Sequence, residues 1–238
     1  MTTPTVVLVH GAFAESSSWN AVVGELQRQA LRVVAVANPL RSVTGDARYL
    51  RDVIASIDGP VVLVGHSYGG MVITEAAAGN DQVVGLVYVA AFTPDTGEDA
   101  FTLSAKFPGS TLGGAIAAYP VSTGGNEIVI RPEVFGEQFA ADVDDDLATL
   151  MAATQRPVTE AALTEGLPTA TPAWRTIPSW FVFGDADRNI PAELIRFMAQ
   201  RADARTATEI PGASHALSVS HPVPVAETIL AAVEATKK

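Results

Sequence analysis

Gly65-His66-Ser67-Tyr68-Gly69-Gly70 is the stretch that decides the fold. It follows the apolar run Pro60–Val64 and precedes the helical pattern Met71–Ala78. A serine flanked at two positions on either side by glycine, at a strand-to-helix junction, demands a very tight turn. Ser67 must take a strained backbone conformation there, and side chains at positions 65 and 69 would collide with the neighbouring strand and helix. The turn lifts the Ser67 hydroxyl into the open. It also aims the N-terminus of the following helix, with its positive dipole, at that hydroxyl.

The same rhythm of strand and helix extends outward. Short Val- and Ile-rich runs recur at Thr5–Val9, Arg32–Ala37, Pro60–Val64, Val83–Ala91, Ser179–Phe183 and Thr206–Ile210, bounded by Gly, Pro or Asn. Apolar runs without alternation suit strands buried on both faces, as in a parallel sheet. Between them, Trp19, Val22, Val23, Leu26 and Ala30 fall on one helical face, as do Leu50, Val53, Ile54 and Ile57. Ile195, Met198 and Ala202 mark a later helix, and Val225, Ile229, Leu230 and Val233 the last. Alternating strands and helices predict an α/β fold, a mostly parallel central sheet with helices on both faces.

From Thr93 to about Trp174 the alternation lapses. Gly-rich pieces (Pro108–Gly114, Ser122–Asn126) precede a strand candidate at Ile128–Ile130 and helical stretches near Pro132–Ala140, Asp145–Ala153 and Thr159–Glu165. The segment is too long for a loop and too poor in core residues for a second domain. The expected layout is therefore one domain over residues 1–238, with core 1–92 and 175–238 and an inserted helical cap over about 93–174. Such a cap would cover the C-terminal edge of the sheet, where open α/β sheets bind ligands.

Composition narrows the partners. The 238 residues carry 15 Lys+Arg against 26 Asp+Glu, a formal charge of −11, with 48% hydrophobic residues and no cysteine. Thiolate chemistry and Cys-ligated zinc are excluded. The negative balance disfavours nucleic acid and anionic membranes. No basic leader precedes the first apolar run, and the longest apolar run is too short to span a bilayer, so a cytoplasmic location is expected.

A serine hydroxyl becomes a competent nucleophile only beside a base. Of the four histidines, His215 lies in Gly212-Ala213-Ser214-His215, after the strand Thr206–Ile210 and before the last helix, and is the expected base. His66 reads as structural, His10 as shaping the loop after the first strand, and His221 as a surface or helix-entry residue. An acid must orient the imidazole. Asp185 and Asp187 compete in Gly184-Asp185-Ala186-Asp187-Arg188-Asn189-Ile190-Pro191, and Asp187, deeper in the loop, is preferred over Asp185, which reads as a brace of the turn. Two backbone amides are needed for an oxyanion: Tyr68 follows the serine, and Ala12 is chosen from His10-Gly11-Ala12-Phe13. Asp142, Asp144, Asp145 and Asp146 lack metal-loop spacing and read as a solvated helix entry. No nucleotide or zinc motif is present, so neither cofactor nor metal is expected.

These segments resemble the α/β-hydrolase superfamily, in the branch that holds small esterases, plant methylesterases and hydroxynitrile lyases. The likeness runs through Val7-Leu8-Val9-His10-Gly11-Ala12, Trp19, the Ser67 turn, Val89-Ala90-Ala91-Phe92-Thr93-Pro94-Asp95, the Asp187 loop and the His215 loop. It implies a Ser67, Asp187, His215 triad and an oxyanion hole at the Ala12 and Tyr68 amides. Lyases of the branch keep a lysine after the histidine and a threonine in the first oxyanion loop, where this chain has Ala216 and Gly11. The implied activity is a serine carboxylesterase acting, without cofactor, on small neutral alkyl or aryl esters, as a monomer or homodimer. Phe13, Phe101, Leu103, Phe107, Leu112 and Ile116 are the expected pocket lining. The alternatives are a hydroxynitrile lyase or C–C hydrolase on the same triad, or a non-catalytic ligand sensor.

Overall fold

In the computed structural model, which describes residues 2–237, the expected strands assemble into one parallel sheet. Its first part runs β1 (Thr5–Val9), α1 (Asn20–Arg28), β2 (Val33–Val36), α2 (Val43–Ala55), β3 (Val61–His66), α3 (Gly69–Ala77) and β4 (Val83–Val89). An insertion follows, with α4 (Ala100–Ser104), β5 (Ile116–Pro120), β6 (Asn126–Ile130), α5 (Pro132–Phe139), α6 (Asp145–Thr154), β7 (Val158–Thr159) and α7 (Glu160–Thr164). The chain then returns through β8 (Ser179–Gly184), α8 (Ala192–Arg201), β9 (Thr206–Ile210), α9 (Leu217–Ser220) and α10 (Pro222–Thr236). The main sheet has the order β2-β1-β3-β4-β8-β9, with every pairing parallel.

Side-chain alternation splits each central strand between two apolar cores. Val7 and Val9 of β1, Leu63 of β3, Tyr88 of β4 and Phe181 of β8 face one core, shared with α2, α3 and α8. Val6 and Leu8, Val62 and Val64, Val87, and Trp180 and Val182 face the other, closed by Trp19, Leu26, Val225 and Ile229. The chain moves outward from β1 to β2 over one face, then back past β1 to β3 over the other. Right-handed crossovers require that exchange of faces. It makes the C-terminal ends of β1 and β3 the switch point, where the loops on either side diverge and leave a crevice.

The insertion carries more strand than the helical cap with a single strand candidate, Ile128–Ile130, expected from the sequence. β5, β6 and β7 form a three-stranded antiparallel sheet, pairing Ile116 with Ile130 and Ile128 with Val158. β5 escaped the sequence reading because residues 117–120 are exposed, which leaves no apolar alternation to detect. Gly124 and Gly125, both at positive φ, close the β5–β6 hairpin. The insertion is fastened to the loop before α2. Thr159 donates to the carbonyls of Leu40 (3.1 Å) and Arg41 (2.6 Å), and Arg41 reaches the Glu127 carboxylate and the Pro157 carbonyl. Among the described residues, no helix is long and apolar enough to cross a membrane.

Gly184 ends β8 where the loops after β8 and β9 meet. A Cβ there would lie 2.0 Å from the Ala213 carbonyl oxygen and 2.6 Å from its carbon. Backbone cannot yield as a flexible side chain can, so Gly184→Ala is expected to lower unfolding stability by about 2–3 kcal/mol. Gly113, with nothing within 4 Å of the same position, should accept alanine within about 0.5 kcal/mol. Paired urea denaturation curves check both values.

Candidate active site

Ser67 stands between β3 and α3 with φ at +53°, the left-handed region that non-glycine residues seldom occupy. Surrounding bonds hold that strain in place: the Ser67 amide donates to Val89, and the Ser67 carbonyl accepts from Gly70 and Phe92. A side chain at Gly11 would come within 2.5 Å of the Ser67 Cβ, and one at Gly69 within 2.4 Å of the Val9 carbonyl oxygen. The strand ends and the turn can close together only where both positions lack a side chain.

Asp187 and His215 meet beside this turn, with His215 Nδ1 2.7 Å from Asp187 Oδ2 and both side chains almost fully buried. The other carboxylate oxygen, Oδ1, accepts the backbone N–H groups of Asn189 (2.7 Å) and Ile190 (3.0 Å). A carboxylate bound in this way can only accept, so a proton lies on His215 Nδ1, and the neutral tautomer this selects has its lone pair on Nε2. Asp185 is engaged elsewhere. Its Oδ1 accepts the Gly212 amide at 2.6 Å and braces the turn before His215.

The two remaining buried histidines are wired to the same loops. His66 Nε2 lies 2.9 Å from the His215 carbonyl oxygen, so Nε2 carries the proton and donates, and the ring sits 4.7 Å from that of His215. Burial, reinforced by His215, holds the His66 pKa well below the ordinary histidine range. A neutral His66 steadies the His215 backbone without placing a like charge beside its ring. At His10, Nε2 accepts the Asn38 amide (3.0 Å), which leaves Nδ1–H to donate to the Gly11 carbonyl (2.9 Å). Burial lowers this pKa too. In a trans peptide the C=O and N–H point in opposite directions, so anchoring the Gly11 carbonyl turns the Ala12 N–H away from His10.

Among the described residues, neither the Ala12 nor the Tyr68 amide donates to any protein acceptor, although both residues are buried. Tyr68 is held from the other end. Its hydroxyl donates to Asp46 Oδ2 at 2.9 Å, and Asp46 also accepts the Arg41 amide at 3.1 Å. Burial raises the Asp46 pKa, and burial together with Asp46 raises that of the Tyr68 hydroxyl well above its usual value.

Ser67, His215, Ala12 and Tyr68 share a cavity of about 750 Å³ beneath the insertion, within the range of small-molecule sites. Phe13, Phe101, Phe107, Leu112 and Ile116 line it. Leu103 does not: it is 3% exposed and packs into the core beneath α4. Asn189, Ile128 and Leu163 line the cavity and were not foreseen, because strand register and insertion packing bring them there. His221 lies outside, bonded to Ser220 Oγ (2.9 Å) with Asp142 Oδ2 3.2 Å away. Asp144 caps α6 through the Asp146 amide, and among the described residues no three His, Cys, Asp or Glu are grouped to hold a metal.

The neutral histidines carry a pH consequence. In the unfolded chain they bind protons near pH 6.5, while the folded state resists protonation. The unfolded state therefore takes up more protons below that pH, and stability falls with pH, by about 1.4 kcal/mol per unit for each histidine affected. Asp46, with its raised pKa, acts in the opposite direction and nearer the carboxylate range. Urea midpoints should drop between pH 7.5 and 5.5, and His66→Gln should show the shallower decline.

The chain belongs to the alpha/beta hydrolase family, whose model matches residues 6–228. It is 34% identical over 119 residues to a carbendazim hydrolyzing esterase of Nocardioides sp. (strain SG-4G), covering 42% of this chain and 47% of that protein. A pyrethroid hydrolase of Sphingobium wenxiniae is 31% identical over 115 residues, covering 40% and 41%. The chain thus spans about half the length of the curated relatives it matches, or less. In structure, polyneuridine aldehyde esterase superposes with a TM-score of 0.81 at 22% identity, over 97% of this chain and 99% of the other. A methylesterase from Arabidopsis superposes at 0.80 with 18% identity over the same shares. At such identities the structural likeness establishes the fold.

Proposed function

We propose that this member of the alpha/beta hydrolase family is a serine carboxylesterase for small, neutral, mainly apolar alkyl or aryl esters. The observation that carries the reading is a strained serine sharing one apolar cavity with a histidine whose Nδ1 proton is held by a buried aspartate. Ser67 Oγ attacks the ester carbonyl while His215 Nε2 takes its proton. The carbonyl oxygen becomes an oxyanion and accepts from the Ala12 and Tyr68 amides, which have no other acceptor to leave. His215 then returns the proton to the departing alkoxide, leaving an acyl-Ser67. A water molecule, deprotonated by His215, attacks the acyl carbonyl, and the acid departs as Ser67 recovers its proton. Asp187 stays ionised throughout and stabilises the imidazolium that forms twice per cycle.

Substrate class follows from the lining and the charge. Phe13, Phe101, Phe107, Leu112 and Ile116 favour alkyl or aryl groups, and the −11 charge favours release of an anionic product. The residue after His215 is Ala216, 1% exposed, so no cation stands there to stabilise a departing anion such as cyanide. That absence favours ester hydrolysis over cyanohydrin cleavage.

Ser67→Ala is expected to lower p-nitrophenyl acetate hydrolysis by about a thousand-fold or more, the scale seen when a triad member is lost. Near-normal turnover in that variant would overturn the reading. A serine-directed fluorophosphonate should label the native protein at Ser67 alone, and failure to label would favour a binding protein. Mandelonitrile should release cyanide far more slowly than esters are cleaved, with equal rates favouring the lyase.

A further inference from the structure

Among the described residues that line the cavity, Glu160 is the one carboxylate, and no lysine or arginine stands with it. It is the first residue of α7 and is exposed. Among the described residues it forms no salt bridge. Arg41, which reaches this side of the insertion, is paired with Glu127. What holds Glu160 is neutral: Asn126 Nδ2 donates to Glu160 Oε2 at 2.9 Å, and Asn126 lines the cavity too. An amide fixes the carboxylate without cancelling its charge. α7 packs against α4, which presents Phe101, a ring that is 63% exposed although it lines the cavity.

An unpaired carboxylate and an exposed aromatic ring on neighbouring elements are the groups that attract an alkylammonium ion, the first by its charge and the second by the negative face of its π-system. The charge acts at a distance. With no cation in the lining to compensate it, Glu160 sets a negative potential in the cavity whichever way its oxygens turn. We propose that Glu160 is a specificity-determining residue and that it selects esters carrying an alkylammonium group, quaternary or protonated, besides the scissile bond. The inference rests on the esterase reading and widens its substrate class from neutral esters to these cations. An apolar lining alone would disfavour an ion, which loses hydration on entry. Glu160 and the aromatic rings offset that loss.

Ester pairs that exchange one N⁺ for one carbon at constant shape isolate the charge. Acetylcholine against 3,3-dimethylbutyl acetate places it on the alcohol side. Methyl 4-(trimethylammonio)butanoate against methyl 5,5-dimethylhexanoate places it on the acyl side. In at least one pair the native protein should cleave the cationic ester with a kcat/KM equal to or above that of its isostere. Glu160→Gln, which keeps an acceptor for Asn126, should lower that cation-to-neutral ratio about tenfold, the scale of two unit charges several ångströms apart in a partly wetted site. Raising NaCl from about 10 mM to about 300 mM should lower the ratio in the native protein and much less in Glu160→Gln. An equal salt response in both proteins would assign the effect to the overall charge of the chain and overturn the proposal. So would a faster neutral isostere in both pairs, or a ratio that Glu160→Gln leaves unmoved. The same ratio is read as Kd, by calorimetry, in Ser67→Ala protein with and without Glu160→Gln. If the native protein cleaves none of the four esters, these Kd values decide: Glu160-dependent binding of the cations sinks the esterase reading and keeps the cation site, and its absence sinks both. Cleavage with a ratio indifferent to Glu160 sinks the cation site and leaves the esterase reading standing.

Discussion

Everything at this site depends on how closely the backbone after β1 can approach the turn after β3. Gly11 faces the Ser67 Cβ and Gly69 faces the Val9 carbonyl at distances no side chain could share. The contact holds Ser67 at positive φ, starts α3 immediately behind it, and brings the Ala12 and Tyr68 amides into one cavity. A methyl group at either glycine would separate the two loops and with them the two donors. The local strain is sustained by the parallel sheet, whose central strands are buried on both faces and cannot shift to relieve it.

Three buried histidines serve this arrangement in different ways. His215 is oriented by Asp187 through its side chain and by His66 through its backbone. His10 acts on the opposite wall, where its bond to the Gly11 carbonyl sets the direction of the next amide. Two of the three are held neutral by burial, and their neutrality matters electrostatically. A charge on His66 would stand against the imidazolium that His215 becomes in the proposed mechanism. The same desolvation makes the fold sensitive to mild acid, so the positioning of the proposed base and the pH limit of stability share one cause.

The insertion supplies the other half of the cavity, and it is anchored to the machinery it covers. Thr159 and Glu127 hold the loop that carries Arg41, whose amide binds Asp46, and Asp46 binds the Tyr68 hydroxyl. A continuous chain of hydrogen bonds thus joins the small antiparallel sheet to the residue that follows Ser67. The fit of the insertion and the placement of the proposed oxyanion donor are mechanically linked.

The sequence by itself determined the parallel α/β fold, the strand positions and the candidate roles of Ser67, His215 and Asp187. These signals are local: buried parallel strands are continuous apolar runs, and the glycines around Ser67 report a turn that few other residues permit. Preference for Asp187 over Asp185 was weaker, since two acids two positions apart in a loop carry no periodicity; their hydrogen bonds distinguish them in space. Only the tertiary structure decided the rest. The strand β5 is exposed and leaves no apolar pattern, Leu103 turns into the core instead of the cavity, and Asn189 reaches the cavity through a clamp formed with Gln138, which lies 51 positions away. Such features depend on contacts between segments distant in the chain, whose pairing is set by packing and by which polar groups remain to be satisfied, and no local pattern encodes them.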